Sequence, residues 1–134
     1  MRAGDLPEAV RRLIADHIDS VEQLEILLLL HQHPERSWTA ESVARELRVS
    51  PLSAGDRLKD MARAAILSKV KGSEGEYRYA PESPQMGEAV SGLATAYAER
   101  RVTVINLIFS KPVDKIRTFA DAFRLRRGDD DDNG

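Results

Sequence analysis

The sequence predicts a mostly α, α+β fold, and three observations predict it. Capping residues punctuate the chain at Ser20, Thr39 and Ser50-Pro51, each just ahead of a stretch with apolar residues at helical spacing. A glycine-bracketed loop, Gly72-Ser73-Glu74-Gly75, joins two short segments with period-two character, Ile66 to Lys71 and Glu76 to Tyr79, and reads as a β-hairpin. Beyond Pro81 and Pro84 the spacing turns helical again as far as Phe109.

The first helix opens at Leu6-Pro7-Glu8, with proline at N1, where no N–H is needed, and an acid near the positive end of the helix dipole. Val10, Leu13, Ile14 and Ile18 form its apolar stripe, Arg11, Arg12 and Asp16 its wet side, and it ends near His17. Ser20 caps a second helix in which Leu24 and Ile26 to Leu30 leave little polar circumference, so it must be covered on several sides and is the core helix. That helix stops at His31-Gln32-His33-Pro34, because a residue before proline is driven out of the helical region. The two imidazoles there complement the negative end of the helix dipole. A metal site is disfavoured, since residues two apart on a helix point in different directions and no third ligand stands out; isolated His17 gets the same reading.

Thr39 can accept from the free N–H groups of a third helix, and Trp38 before it can pack on Val43 as a hydrophobic staple. Val43, Ala44 and Leu47 recur at helical spacing, and Arg48-Val49 lead into the next cap, Ser50-Pro51. The fourth helix, Pro51 to about Ala64, puts Ala54, Leu58, Met61 and Ala65 on one face, to meet the core helix. Its outward centre falls on Asp56 and Asp60, flanked by Leu52, Ser53, Lys59 and Arg63.

At 134 residues the chain fits one domain with an appended arm. With no cysteine, disulfides, thiol catalysis and cysteine metal sites are excluded. The longest purely apolar run, Ile26 to Leu30, is far too short to span a bilayer, and no secretory leader pattern opens the chain, so the expectation is a soluble, cytoplasmic protein without membrane insertion. The net charge of −2 is unevenly spread: residues 1–36 carry 4 basic and 7 acidic groups, residues 37–80 carry 8 and 6, residues 81–127 carry 8 and 5, and four aspartates end the chain. No phosphate-cradling glycine loop, nucleophile elbow or metal-ligand cluster is present, so no enzymatic activity, cofactor or metal is expected.

Helix, capped helix, short turn, capped helix and hairpin, in that order from Ser20 to Ala80, resemble the winged helix-turn-helix superfamily, with the overall layout of bacterial MarR-like and PadR-like regulators. The resemblance rests on Thr39, Val43-Ala44, Leu47, Val49-Ser50-Pro51, Leu58, Met61, Ile66-Leu67 and the wing Lys69 to Tyr79; Ala65 stands where a glycine commonly precedes the first wing strand. It implies a dimeric, sequence-specific DNA-binding transcriptional regulator that inserts the Pro51 helix in the major groove of double-stranded DNA and lays the wing on the flanking backbone. The DNA contacts so implied are Ser50, Ser53, Arg57, Lys59 and Arg63 on the helix and Lys69, Lys71 and Arg78 on the wing. Asp56 and Asp60 repel phosphate, and they favour the alternative, a winged-helix protein–protein interaction module that leaves DNA alone.

Met86, Val90, Leu93, Tyr97, Arg101, Val104 and Ile108 alternate at spacings of four and three, a heptad-like seam with nothing to break it between Ala89 and Phe109. One helix of about 24 residues, roughly 36 Å long, is therefore expected, longer than a small domain needs for its own core. In the regulators that the chain resembles such a helix pairs two copies, so Val90, Leu93, Tyr97, Arg101, Val104 and Ile108 are the expected homodimer interface, with Arg101 meeting Glu99 or another acid of the partner. After Lys111-Pro112, Ile116, Phe119, Ala120 and Phe123 define a further amphipathic stripe, and Asp129 to Asp132 an acidic, disordered tail. The expected organisation is an N-terminal helix (1–19), a winged helix-turn-helix domain (20–80), a helical C-terminal arm (81–127) and the tail (128–134).

Overall fold

The computed structural model describes residues 6–110; the second stripe around Phe119 and the acidic tail lie outside them. Among the described residues the chain is α+β: six helices, α1 (Glu8–His17), α2 (Val21–Gln32), α3 (Ala40–Leu47), α4 (Pro51–Arg63), α5 (Pro84–Glu99) and α6 (Arg101–Phe109), with strands β1 (Leu67–Lys69) and β2 (Tyr77–Tyr79) between α4 and α5. None of these helices is long and apolar enough to cross a membrane.

Helix α2 sits at the centre, as its all-round apolarity demands. Leu24, Ile26, Leu27 and Leu30 are completely buried, and α3, α4, α5 and β2 all pack against the helix. Its entry is fixed locally. The Ser20 hydroxyl accepts from the Gln23 N–H at 3.0 Å, and the buried Gln23 side chain accepts from the Asp19 N–H at 2.9 Å.

The other caps follow the same logic. Thr39 and Ser42 close a reciprocal capping box, each side-chain oxygen accepting from the other's backbone N–H at 2.9–3.0 Å. Arg48 ends α3 in the left-handed region, φ 59°, and two residues later Ser50 accepts from the Ser53 N–H at 3.0 Å with Pro51 as the first residue of α4. Ser83 does the same for α5, accepting from the Met86 N–H ahead of Pro84. Pro7 is the exception: it occupies the N-cap of α1, one position earlier than the sequence suggests.

The sheet is antiparallel, with Leu67 opposite Tyr79, Ser68 opposite Arg78 and Lys69 opposite Tyr77. Gly72 and Gly75 take the positive φ values, 77° and 79°, that the loop between the strands requires. Ala65 also has positive φ, 65°, so the departure from glycine there leaves an alanine in a backbone region that disfavours Cβ. Trp38 adds an isolated antiparallel bridge to β2 that the sequence did not announce: it exchanges two backbone hydrogen bonds with Tyr77, at 2.7 and 2.8 Å, and is buried with Val43 in the core.

The largest departure from expectation is at Arg100. Backbone angles of φ −136° and ψ 56° divide the expected single helix into α5 and α6, and α6 turns back to pack on α5 and α1. Tertiary burial drives the break. In a straight helix Val104 and Ile108 would project past the core, whereas here both are completely buried, as are Val90 and Leu93. Those four residues are therefore interior to one chain and are not a free dimer seam.

Tyr97 is half-buried and donates to the Glu25 carboxylate of α2 at 3.2 Å, with the exposed Arg101 guanidinium 3.7 Å from the same carboxylate and stacked over the Tyr97 ring. Arg101 thus finds its acid on α2 of its own chain. The core is correspondingly single, because buried side chains of α1, α5 and α6 join those of α2, α3 and α4 in one cluster, and the expected boundary between a 20–80 domain and an arm does not divide it.

The closeness of α1 to α5 gives a quantitative check. A Cβ on Gly92 would lie 2.9 Å from Cγ2 of Val10, which is itself buried. Overpacking of this kind costs about 1–3 kcal/mol, against the roughly 1 kcal/mol that alanine gains over glycine in a helix. Gly92→Ala should therefore lose between zero and about 2 kcal/mol of stability in urea denaturation, and adding Val10→Ala should cost less than the two single effects summed. A gain of about 1 kcal/mol in Gly92→Ala, the full helical benefit with no clash to offset it, would mean that α1 is not seated on α5 as described.

Candidate nucleic-acid interface

Helix α4 buries Ala54, Leu58 and Met61 and turns Leu52, Asp56, Lys59, Asp60 and Arg63 to solvent, a stripe at i, i+4, i+7, i+8 and i+11. The sequence placed Ser53 and Arg57 with that stripe, but the fold turns them away from it. The Ser53 hydroxyl donates to the Glu22 carboxylate of α2, and Arg57 Nε donates to the same oxygen at 3.4 Å. Only about a third of the Arg57 and Glu22 side chains is exposed (32% and 29%), so this pair fastens α4 to α2. The Ser50 hydroxyl is likewise engaged as the α4 cap.

The remaining basic residues divide by strand parity. Lys69, opposite Tyr77, lies on the hairpin face turned toward α4, while Ser68 and Arg78 lie on the other face. As a result Lys59, Arg63 and Lys69 surround one concavity of about 360 Å³, floored by Ala62, Leu67 and Tyr77. Arg63 is held at 3.3 Å by Asp60, a pair too exposed to neutralise it strongly; Lys59 and Lys69 have no ion-pair partner among the described residues. Lys71 is exposed in the hairpin loop, close in sequence to the exposed Glu74, and Arg78 is exposed on the far face. Of the eight sequence candidates, then, three share a site, two brace the helix that carries it, one caps that helix, and two stand apart.

Glu22 is the residue that sequence reasoning missed. Its only local signal is an acid in the first turn of α2, which suits the helix dipole equally well. A second concavity, about 530 Å³, lies between α1 and the start of α5, but its rim alternates in sign, with Glu8 and Asp16 beside Arg12 and His17. No group of three or more potential metal ligands occurs among the described residues. No protein family, curated protein or solved structure matches the chain in comparison with known proteins.

The hairpin is tied to the rest of the molecule by His31. Its ring meets Tyr79 edge-on at 5.2 Å, Nε2 lies 3.3 Å from the Ser91 hydroxyl of α5, and Nδ1 is buried without a hydrogen-bond partner. From the last turn of α2, where the sequence places it, the imidazole fills the junction of α2, β2 and α5. Burial lowers its pKa below the ordinary histidine value of 6.5, because the charged form loses water there. The unfolded chain thus binds the proton more readily, and the stability that neutral His31 contributes is present above about pH 6.5 and is lost as pH falls toward the folded-state pKa. Thermal unfolding between pH 5 and 8 should show a fall in Tm on acidification that is shallower in His31→Gln; identical slopes in the two proteins would remove His31 as the cause.

Proposed function

We propose that the chain is a winged helix-turn-helix protein that binds duplex DNA and regulates transcription, with α3 and α4 as the paired helices and the β1–β2 hairpin as the wing. The observation that carries this reading is the meeting of Lys59, Arg63 and Lys69 at a single concavity between the last turns of α4 and β1, since three cations around an open hollow suit phosphate oxygens. The exposed stripe of α4 leads from that hollow to Leu52 at the start of the helix, which leaves a continuous face free to enter a groove.

Asp56 and Asp60 on the same stripe favour a second reading, a winged-helix module that docks on a basic protein surface. A homodimer belongs to the first reading, because two-fold symmetry would present two α4 helices to one DNA site. With most of the expected seam consumed by the core, Val102 on the outer side of α6, 70% exposed, is a large apolar group placed to make that contact.

Fluorescence anisotropy with random duplex DNA across a salt series separates the readings. Three phosphate contacts per protomer predict log K falling against log salt with a slope of about −2.7 for one bound protomer and about −5.4 for a bound dimer, and Lys69→Ala should reduce that slope by about 0.9 per protomer. Arg78→Ala, on the other face of the hairpin, should leave it unchanged. Absence of binding at low salt would exclude the DNA reading and favour the interaction module.

A further inference from the structure

We infer that Leu52 is a specificity-determining residue that reads the 5-methyl group of a thymine in the major groove, an inference that rests on the DNA-binding reading above. Leu52 is 78% exposed, the most exposed of the large apolar side chains among the described residues. A solitary surface leucine is commonplace and by itself means nothing. This one is distinguished by its position: the second residue of α4, directly after the Ser50-Pro51 cap, on the same stripe as Asp56, Lys59 and Arg63.

That stripe has a gradient of chemistry along it. The cations gather at the C-terminal end, where Lys59 and Arg63 join Lys69 across the concavity, and this end suits the DNA backbone. The N-terminal end carries no cation on the stripe: the nearby Arg57 is committed to Glu22, and what faces outward is Leu52 followed one turn later by Asp56. Neither group attracts phosphate, but each matches a base edge. An aliphatic side chain fits the thymine methyl, and a carboxylate accepts from cytosine N4, an amino group that only the major groove presents. One helical turn advances about 6 Å and one base step about 3.4 Å, so Leu52 and Asp56 would reach positions about two steps apart. The occupant is therefore duplex DNA bearing a thymine with a cytosine close by, in preference to RNA, which lacks the methyl and whose deep major groove excludes side chains.

Replacement of thymine by deoxyuridine deletes the methyl and nothing else, which makes a clean test on the full-length chain. A preferred duplex is first selected from a random library, and each thymine in it is then exchanged singly for deoxyuridine, with affinity read by anisotropy for the native chain and for Leu52→Ala. One position should weaken native binding about four-fold, the value expected for one buried methyl-sized group, and the same exchange should leave Leu52→Ala unaffected. The salt slope should be equal in both proteins, because Leu52 touches no phosphate. Salt-dependent binding with no sensitive thymine, or with one equally sensitive in Leu52→Ala, overturns the role of Leu52 while the DNA reading stands. Failure of the native chain to bind any duplex at low salt overturns both. The exposure of Leu52 keeps Leu52→Ala folded, and an unchanged circular-dichroism spectrum verifies it.

Discussion

Helix α2 is apolar around almost its whole circumference, and the need to keep it out of water arranges the rest of the chain. A helix with one apolar stripe needs one neighbour, whereas Leu24, Ile26, Leu27 and Leu30 point in enough directions that α3 and α4, the hairpin and α5 must all be present to cover them. With large apolar groups worth roughly 1.5–3 kcal/mol each when fully buried, omission of any one neighbour would cost a large part of the stability of a domain this small. The break at Arg100 is a product of this demand. It gives up helix continuity at one residue so that Val104 and Ile108 can reach the interior.

The few polar groups of α2 are used to orient what covers it. Glu22 accepts from Ser53 and Arg57, which sets the rotation of α4, while Glu25 accepts from Tyr97 and pairs with Arg101 on either side of the α5–α6 break. The two acids stand about one turn apart on α2 and hold α4 and the α5–α6 junction respectively. Their contributions to stability are modest, since both pairs retain contact with water; their geometric effect is larger. Rotation of α4 decides which residues face outward, so the partly buried Glu22–Arg57 pair removes one cation from the surface and leaves Lys59 and Arg63 to meet Lys69.

What the sequence made legible is what is determined within a few residues. Ser20, Thr39 and Ser50-Pro51 act as caps because a hydroxyl needs only the N–H groups of the next turn, and Gly72 and Gly75 mark the hairpin loop because their backbone angles exclude most other residues. The outward face of α4 was legible for the same reason, once Ala54, Leu58 and Met61 were taken as its inner face. The α5–α6 break was not, for no glycine or proline marks Arg100, and heptad spacing continues across it while the axis turns. Nor could the sequence show that Ser53 and Arg57 answer to Glu22, more than thirty residues away. The separation of Lys69 from Arg78 was within reach, because strand parity across a four-residue glycine loop places them on opposite faces once the register is known.

The proposed site, drawn from two ends of one helix and one face of a two-stranded hairpin, depends on those elements moving as a unit with the core. The central claim is that α5 and α6 belong to the same cooperative structure as α2, and native-state amide hydrogen exchange tests it most directly. Buried amides of α2, such as that of Leu27, and those of α5, such as that of Leu93, should exchange only through global unfolding, with the same free energy of opening and the same dependence on denaturant. An opening free energy for Leu93 several kcal/mol below that of Leu27 would show α5–α6 to be a separable arm, and would contradict the single-core account.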